Sequence, residues 1–246
     1  LMDKLSVIIP AKDEAENISL CIDEITNALG KEGINHEIIV IDDGSSDNTY
    51  EIVSQISMTT QSVKCIKNTA DNGFGRAVRL GLENFTGDAV AIVMADRSDS
   101  PTNLVDYWKT LHEGFECAFG SRFIQGSNVY DYPKLKLLVN RIVNKLIKYA
   151  FKIDCNDITN AFKMYRREVI QGCKPFIAPH FNLTVEIPLK AIIRGYSWKV
   201  VPISWKNRDK GVAKLKLREM GSRYFFIVAY LWLEKYFSRG DYKRKS

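Results

Sequence analysis

The chain has 246 residues, 46% of them hydrophobic and 26% charged, with a formal net charge of +6. This composition is sufficient for one full hydrophobic core, and the lack of a low-complexity stretch or an internal repeat excludes a disordered chain and a repeat protein. The five cysteines form no Cys-x-x-Cys pair and the first strand-like run begins at Leu5, so we expect reduced thiols, no signal peptide and a cytoplasmic location.

Three short apolar runs, each followed by acidic residues, predict three strands of one α/β sheet. Residues 38–41 are apolar and lead into a turn rich in glycine and serine, after which residues 49–56 have a helical pattern. Similar apolar runs cover residues 5–10 and 88–94. Ligands of α/β proteins bind beyond the carboxyl ends of the strands, so we expect the acids to gather at one edge of the sheet. The acids that follow the three runs are Asp13, Glu14 and Glu16, then Asp42 and Asp43, then Asp96 and Asp99.

These acids have an ordinary structural explanation, because carboxylates cap and stabilise the N-termini of helices. Their repetition after three strands favours a shared ligand site instead. A cluster of carboxylates at this edge suits ribose hydroxyls, the N–H groups of a base and a divalent metal ion.

A glycine-rich turn opens the next predicted helix, within residues 72–81. Gly73 and Gly75 match part of the dinucleotide-binding pattern Gly-x-Gly-x-x-Gly, but Val78 occupies the third glycine position. We therefore favour a turn in which the glycines let the backbone pass close to a ligand or a neighbouring strand, with Arg76 near phosphate.

Residues 132–151 predict an amphipathic helix with lysine and arginine on the faces beside its apolar stripe. An ordinary surface helix is the favoured interpretation, and a helix that lies on a membrane surface is the alternative. The apolar stripe consists of Leu135, Leu138, Ile142, Leu146 and Tyr149.

The C-terminal region carries the positive charge of the chain. Residues 206–246 contain twelve Lys and Arg against four acids, a net charge of +8, which leaves −2 for residues 1–205. Residues 206–218 predict a mobile phosphate-handling loop, although most charge runs are solvated faces. The apolar run at residues 224–233 is too short to cross a bilayer, which needs about 20 residues. It predicts either a core helix or an interfacial helix whose basic end is drawn to anionic lipid.

The motifs of the first half resemble the nucleotide-sugar half of a family 2 glycosyltransferase with the GT-A fold. They are VIIPAKDEAENI, VIDDGSSDNT, NGFGRAVRLG, VMADRSDSP and GSRF, in that order. The second half narrows the resemblance to the dolichyl-phosphate mannosyltransferase-like, polyprenyl-phosphate glycosyltransferase branch, through DITNAFKMYRREV and FNLTVEIPLKAIIRGYSWKVVPISWKNRDKGVAKL. The resemblance extends from about residue 5 to about residue 224, nearly the whole chain.

The resemblance implies an α/β protein with a Rossmann-like, mostly parallel central sheet flanked by helices. It implies one GT-A domain over residues 1–224, divided into a nucleotide-sugar half, residues 1–122, and an acceptor half, residues 123–224. Residues 225–246 are then expected to form a C-terminal apolar, amphipathic helix and a basic tail.

The resemblance also assigns candidate residues to the donor site. Asp96 matches the second acid of the metal-binding Asp-x-Asp, whereas Met94 replaces the first, and a thioether is a poor ligand for Mg²⁺ or Mn²⁺. We expect Mg²⁺ or Mn²⁺ at Asp96, with Asp99 or the donor diphosphate supplying further oxygens. The candidate nucleotide-binding residues are Pro10, Ala11, Glu14, Asp42, Asp43, Gly73, Arg76 and Ala95.

The function implied is an inverting transfer of a sugar from a UDP- or GDP-linked donor to polyprenyl phosphate or a related membrane acceptor. A lipid phosphate has a second pKa near 6, is already nucleophilic at neutral pH and needs cations rather than a base. Ser121 lies beside the acceptor in this resemblance, and the cations are Arg122, Arg208 and Lys214. A sugar hydroxyl would instead need a carboxylate base, for which Asp157 and Glu186 are the candidates.

Two alternatives remain at this point. One is transfer to a glycan hydroxyl in envelope polysaccharide synthesis, and the other is a non-catalytic, membrane-peripheral nucleotide-binding protein on a degenerate GT-A scaffold, suggested by Met94. In each case we expect a location at the inner face of the cell membrane and no nucleic-acid partner.

Overall fold

Strands and helices alternate along the chain, of which a computed structural model describes residues 2–207 and 217–244. The first half contains β1 (Leu5–Ala11), α1 (Ile18–Lys31), β2 (His36–Asp42), α2 (Thr49–Thr59), β3 (Val63–Lys67), α3 (Phe74–Asn84), β4 (Ala89–Ile92), α4 (Thr102–His112) and β5 (Cys117–Ser121). The second half contains β6 (Asn128–Tyr130), α5 (Lys134–Phe151), β7 (Lys163–Arg166), α6 (Arg167–Cys173), α7 (Leu183–Ile193), β8 (Trp198–Pro202), β9 (Ser204–Lys206) and α8 (Leu217–Phe237). The strands predicted from the three apolar runs are confirmed as β1, β2 and β4.

The central sheet has the strand order β3-β2-β1-β4-β7-β5-β8. Its strands are parallel except β7, which is antiparallel to both β4 and β5. A second, two-stranded sheet joins β6 to β9. The prediction of a Rossmann-like, mostly parallel sheet is therefore confirmed.

Helices cover both faces of the central sheet, which explains why its strands are continuous apolar runs. All seven residues of β1 are buried. Successive side chains of a strand point to opposite faces, so Ile8 and Ile39 enter one core cluster while Val7 and Val40 enter the other. All five cysteines are free thiols, and four of them are buried.

The three acid clusters lie at one edge of this sheet. Strand β1 lies between β2 and β4 and is parallel to both, so the acids follow the carboxyl ends of three adjacent strands. Two strand spacings separate β2 from β4, roughly 10 Å. Asp43 and Asp96 are therefore on the same side of the molecule, as the sequence predicted.

Helix α5 corrects one expectation from the sequence. The apolar stripe was expected to belong to an ordinary surface helix, which would pack that stripe against the protein core. In the structure α5 buries Asn144, Ile147 and Phe151, so the stripe, on the opposite side of the helix, is exposed. Leu135 is 68% exposed, and the other stripe residues are exposed to a similar degree.

Helix α8 packs on the body of the protein through one side only. Ile227 and Leu231 are buried, and Glu234 forms a buried ion pair with Arg194 at the end of α7. Lys235 donates a hydrogen bond to the carbonyl oxygen of Phe151 in α5. No described helix contains an apolar stretch that is long enough to cross a membrane.

Candidate functional site

Asp43 connects three segments at the acidic edge. Its backbone N–H donates to the carbonyl oxygen of Ala11 at 2.8 Å. Its carboxylate accepts hydrogen bonds from the Asn68 side chain, at 2.8 Å, and from the Gly73 N–H, also at 2.8 Å. The end of β1, the loop after β3 and the N-terminus of α3 therefore meet at Asp43, the residue that directly follows β2.

Asp42 precedes Asp43 and retains an unsatisfied oxygen. Its Oδ1 accepts a long hydrogen bond from the Ser45 N–H, at 3.4 Å. Its Oδ2 is buried and has no hydrogen-bond partner among the described residues. Buried polar atoms in native proteins are nearly always paired, so this oxygen is suited to an N–H or hydroxyl group of a ligand.

The turns after β1 and β2 are joined by hydrogen bonds. The Asp13 carboxylate accepts from the Ser46 N–H at 2.6 Å, and the Glu14 N–H donates to the Thr49 hydroxyl at 2.8 Å. Pro10, near the end of β1, is buried. The predicted nucleotide residues Pro10, Ala11, Glu14, Asp42, Asp43 and Gly73 thus belong to one continuous rim.

Arg76 stands on the first turn of α3 at the same rim. Its guanidinium donates to the carbonyl oxygen of Asn72 at 3.0 Å and lies 3.3 Å from the Asp71 carboxylate. The structure therefore brings Arg76 to the predicted nucleotide edge, where its side chain is engaged by its own loop.

Asp96 and Asp99 form the acidic pair beyond β4. Both are buried, as is Ala95. The Asp96 carboxylate accepts from the Ser98 N–H at 3.1 Å, whereas Oδ1 of Asp99 is buried without a partner among the described residues. Burial, assisted by the charge of Asp96, raises the pKa of the Asp99 carboxyl to about 7.

A divalent ion at this position would draw few ligands from the protein. Across the described part of the chain, no group of three or more His, Cys, Asp or Glu side chains is arranged to hold a metal ion. The unpaired Asp99 oxygen beside Asp96 is nevertheless a fitting hard ligand, since Mg²⁺ binds through one or two carboxylates plus phosphates and water. The residues present therefore fit an ion that is shared with a bound diphosphate.

Arg122 and Asp157 form a buried, bidentate ion pair. The guanidinium donates to the two carboxylate oxygens at 2.8 and 2.7 Å, and Asp157 is 0% exposed. The Arg122 guanidinium also lies 5.4 Å from the ring centres of Phe123 and Tyr132 and 5.9 Å from that of Trp205. Most of the Arg122 charge is thus neutralised within the protein.

Ser121 lies at the end of β5, immediately before this ion pair. It is fully buried, and its hydroxyl donates to Oδ1 of Asn156 at 2.6 Å. Ser121 therefore connects the end of β5 to the segment that carries Asp157.

Glu186 is also fully buried. Its carboxylate accepts hydrogen bonds from the backbone N–H groups of Ile177 and Ala178, at 2.9 and 2.8 Å, and from Lys190 Nζ at 2.7 Å. A general base must reach the hydroxyl proton that it removes. Ion pairs and hydrogen bonds within the protein already occupy the carboxylates of Asp157 and Glu186, so their geometry does not support that role for either residue.

The structure adds a buried lysine that the motif analysis did not single out. Lys163 in β7 is 1% exposed, and its ammonium group donates to the carbonyl oxygen of Ile158 at 3.0 Å. Burial lowers its pKa to about 8, opposed in part by the nearby Asp157. A lysine between apolar residues, as in AFKMY at residues 161–165, is the sequence signal that could have identified it.

Three cations were predicted from the sequence, and Arg122 is the one that the structure describes. Arg208 and Lys214 lie outside the described residues.

Comparison with known proteins places the chain in a family. It matches the family model for glycosyl transferase family 2 over residues 6–173. It is 33% identical over 218 residues to the dolichol-phosphate mannosyltransferase of Pyrococcus furiosus, covering 87% of this chain and 59% of that protein. It is 28% identical over 215 residues to the polyprenol monophosphomannose synthase of Mycolicibacterium smegmatis, covering 85% of this chain and 80% of that protein. The chain thus spans about 59% of the length of the Pyrococcus furiosus relative.

Solved structures of glucosyl-3-phosphoglycerate synthase from Mycobacterium tuberculosis share the fold. The complex with Mn²⁺, UDP and glucosyl-3-phosphoglycerate has a TM-score of 0.68 and 19% identity, over 95% of this chain and 80% of that chain. The complex with Mg²⁺ and UDP has a TM-score of 0.67 and 19% identity, over 95% of this chain and 79% of that chain. The chain therefore belongs to glycosyl transferase family 2 and has the GT-A fold that its motifs resemble.

Proposed function

We propose that this glycosyltransferase moves a sugar from a UDP- or GDP-linked donor to polyprenyl phosphate or a related membrane acceptor, with inversion at the anomeric carbon. The observation that carries the proposal is the state of the two candidate bases. Asp157 is paired with Arg122 and Glu186 with Lys190, and both carboxylates are fully buried. A phosphate acceptor, with a second pKa near 6, is nucleophilic without a base, whereas a glycan hydroxyl is not.

The names of the two relatives support this acceptor class. One is a dolichol-phosphate mannosyltransferase and the other a polyprenol monophosphomannose synthase. The donor would bind at the acidic edge, where the unpaired Asp42 oxygen and the fixed Asp43 carboxylate suit base N–H and ribose hydroxyl groups. Residues 1–122 would then hold the donor, and residues 123–224 the acceptor.

Asp96 and Asp99 would hold Mg²⁺ or Mn²⁺ together with the donor diphosphate. When bound, the ion supplies positive charge to the departing diphosphate. The structures of the neighbour in complex with UDP and Mn²⁺ or Mg²⁺ support this assignment. Asp99 contributes the buried oxygen that has no partner among the described residues.

The reaction then needs only one displacement. An oxygen of the acceptor phosphate forms a bond to the anomeric carbon as the bond to the diphosphate breaks, and attack from the opposite face inverts that carbon. The Arg122 guanidinium is neutralised by Asp157, so it shapes the acceptor side rather than providing free charge. We infer that Arg208 and Lys214 supply the cations for phosphate.

We also infer that the enzyme contacts the membrane through a face formed by α5 and α8, which we call the apolar face. Exposed apolar patches of this kind mark interaction surfaces. Phe225 and Phe237 of α8 are 76% and 68% exposed, comparable to the α5 stripe. Exposed Lys134, Lys145 and Lys152 on and beside α5 complement anionic lipid headgroups. An interfacial position would bring the active site to a lipid-linked acceptor.

Product analysis tests the reaction. The purified chain would be incubated with labelled UDP- and GDP-sugars, Mn²⁺, and either polyprenyl phosphate in detergent or an oligosaccharide. We expect label in the lipid extract, and label on the oligosaccharide alone would favour the glycan-hydroxyl alternative. Calorimetry with UDP and GDP, with and without Mn²⁺, provides the second test, because a protein that binds neither nucleotide cannot carry out this transfer.

A further inference from the structure

Helix α7 contains a fully buried ion pair between Glu186 and Lys190. Glu186 is 0% exposed and Lys190, one helical turn later, is 1% exposed. Burying two charges has a large desolvation cost, and apolar residues of similar volume are often as stable. The pair therefore has to provide something that apolar packing does not.

What the pair provides is a fixed loop. Residues 174–182 connect α6 to α7, and we call them the positioning loop. The Glu186 carboxylate accepts the N–H groups of Ile177 and Ala178, and Lys190 Nζ donates to the carbonyl oxygen of Pro175. Backbone groups in the first half of the positioning loop are thus tied directly to one helix.

The backbone of the positioning loop is in close contact with the N-terminus of α3. The Arg76 N–H donates to the carbonyl oxygen of Pro179 at 3.2 Å. A Cβ atom at Gly75 would lie 2.4 Å from the carbonyl oxygen of Ala178, and one at Gly73 would lie 2.5 Å from that of Pro179. Only glycine allows this approach, so the position of the loop sets the position of the α3 N-terminus.

The α3 N-terminus in turn orients the donor site. The Gly73 N–H donates to Oδ2 of Asp43 at 2.8 Å. A continuous series of contacts therefore leads from Glu186 through Ala178 and Gly75 to Asp43.

We propose that Glu186, paired with Lys190, is a positioning residue for the donor nucleotide. It acts through the positioning loop and α3 on the Asp43 carboxylate and contacts neither substrate. The proposal rests on the proposed donor function, and it assigns a residue of the acceptor half to the geometry of the donor half. It predicts that loss of the Glu186 carboxylate weakens donor binding, whereas a general base would affect turnover at unchanged donor binding.

The first test removes and then restores the backbone hydrogen bonds. In Glu186→Ala the affinity for UDP or GDP, whichever the wild type binds, is expected to fall by about tenfold or more, with the donor KM rising more than kcat falls. In the double variant Glu186→Gln/Lys190→Met an amide oxygen replaces the carboxylate and no lysine is left unpaired. That variant is expected to recover most of the affinity. If it instead loses kcat and the acidic limb of the pH–rate profile while nucleotide affinity is kept, Glu186 is a base and the proposal is wrong.

The second test reaches the same contact from its other side, in case Glu186→Ala does not fold. Gly75→Ala pushes the positioning loop away from α3 and is expected to weaken nucleotide binding in a protein whose thermal unfolding remains cooperative. Gly30→Ala is the matched control, because a Cβ at Gly30 in α1 meets nothing within 4 Å. Wild-type nucleotide affinity in Gly75→Ala would overturn the proposal. A wild-type protein that binds neither nucleotide would instead refute the proposed function itself.

Discussion

The Asp43 carboxylate is oriented before any nucleotide arrives. Asn68 and Gly73 both donate to it, so a ligand meets a fixed acceptor instead of a mobile side chain. Preorganisation of this kind reduces the entropy that binding has to overcome.

Replacement of Asp43 tests its role in donor binding. Asp43→Ala removes the ligand acceptor and releases the Gly73 N–H, so we expect the affinity for UDP or GDP to fall by about tenfold or more. Calorimetry measures it, and Asp23→Ala is the control, since Asp23 is an exposed acid on α1. Unchanged affinity in Asp43→Ala would count against a base or ribose contact at this residue.

Replacement of Asp96 tests the metal. We expect Asp96→Ala to lower turnover by roughly 100-fold, because charge on the departing diphosphate would lose its stabilisation. Asp99→Asn is expected to keep some turnover but to require more Mn²⁺ for half-maximal rate. Turnover is measured across a Mn²⁺ titration, and a normal rate in Asp96→Ala would remove the metal role from this residue.

The sequence predicted the acidic edge, but it did not predict the ion pair of Asp157 with Arg122 or that of Glu186 with Lys190. The acids of the edge directly follow strands, and local pattern locates strand ends. By contrast, Arg122 is 35 residues from Asp157, so this pair exists only because β5 and the segment before β7 come together. A carboxylate that forms a tertiary ion pair has the same sequence appearance as one that faces a cleft.

At the scale of the secondary-structure elements, β2 carries a polar cluster far from the site. Glu37 is buried near the start of the strand, at the opposite edge from Asp42 and Asp43. It accepts hydrogen bonds from Ser6, Lys64 and Thr86 at 2.7 to 2.8 Å. Burial by itself would raise the pKa of Glu37, but these hydrogen bonds lower it to about 2 from an ordinary value of 4.5.

The depressed pKa of Glu37 predicts a pH-dependent contribution to stability. A carboxyl group with a lowered folded-state pKa stabilises the fold above its unfolded pKa and loses that contribution as the pH falls toward its folded pKa. We expect Glu37→Gln to reduce the free energy of unfolding by roughly 3 kcal/mol at neutral pH. The difference should shrink between pH 4.5 and about 2. Urea unfolding at several pH values measures it, with the exposed Glu83→Gln as control, and a pH-independent difference would contradict the assignment.

Helix α5 shows what apolar periodicity does not reveal. The three- and four-residue spacing predicted a helix over residues 132–151, and the structure has α5 at Lys134–Phe151. The same spacing occurs whether the stripe faces a core, a partner or a bilayer. Which of these covers the stripe is decided by the rest of the molecule, here by the burial of Asn144, Ile147 and Phe151 on the other side of the helix.

At the scale of the whole molecule, α8 is attached to the α/β body at several points. The buried Arg194–Glu234 pair joins it to α7, the Thr184 and Tyr224 hydroxyls form a hydrogen bond, and Tyr236 donates to the carbonyl oxygen of Ala150 in α5. The apolar face is therefore attached to the same body as the donor site. Contact with a bilayer would hold the proposed donor site at a fixed position relative to the bilayer.

This arrangement predicts binding to anionic vesicles through the apolar face. The wild type is expected to co-sediment with vesicles that contain anionic lipid, less so at high salt, because both apolar burial and lysine charge contribute. Leu138→Glu/Ile142→Glu places two carboxylates on the exposed stripe and should reduce vesicle binding by about tenfold or more while UDP or GDP affinity is unchanged. Met58→Glu is the matched control, since Met58 on α2 is 82% exposed and lies outside the apolar face. A different result would contradict this prediction: the wild type self-associates without binding vesicles, and the double variant no longer self-associates. The apolar face would then bind a second copy of the chain, and the membrane assignment would be wrong.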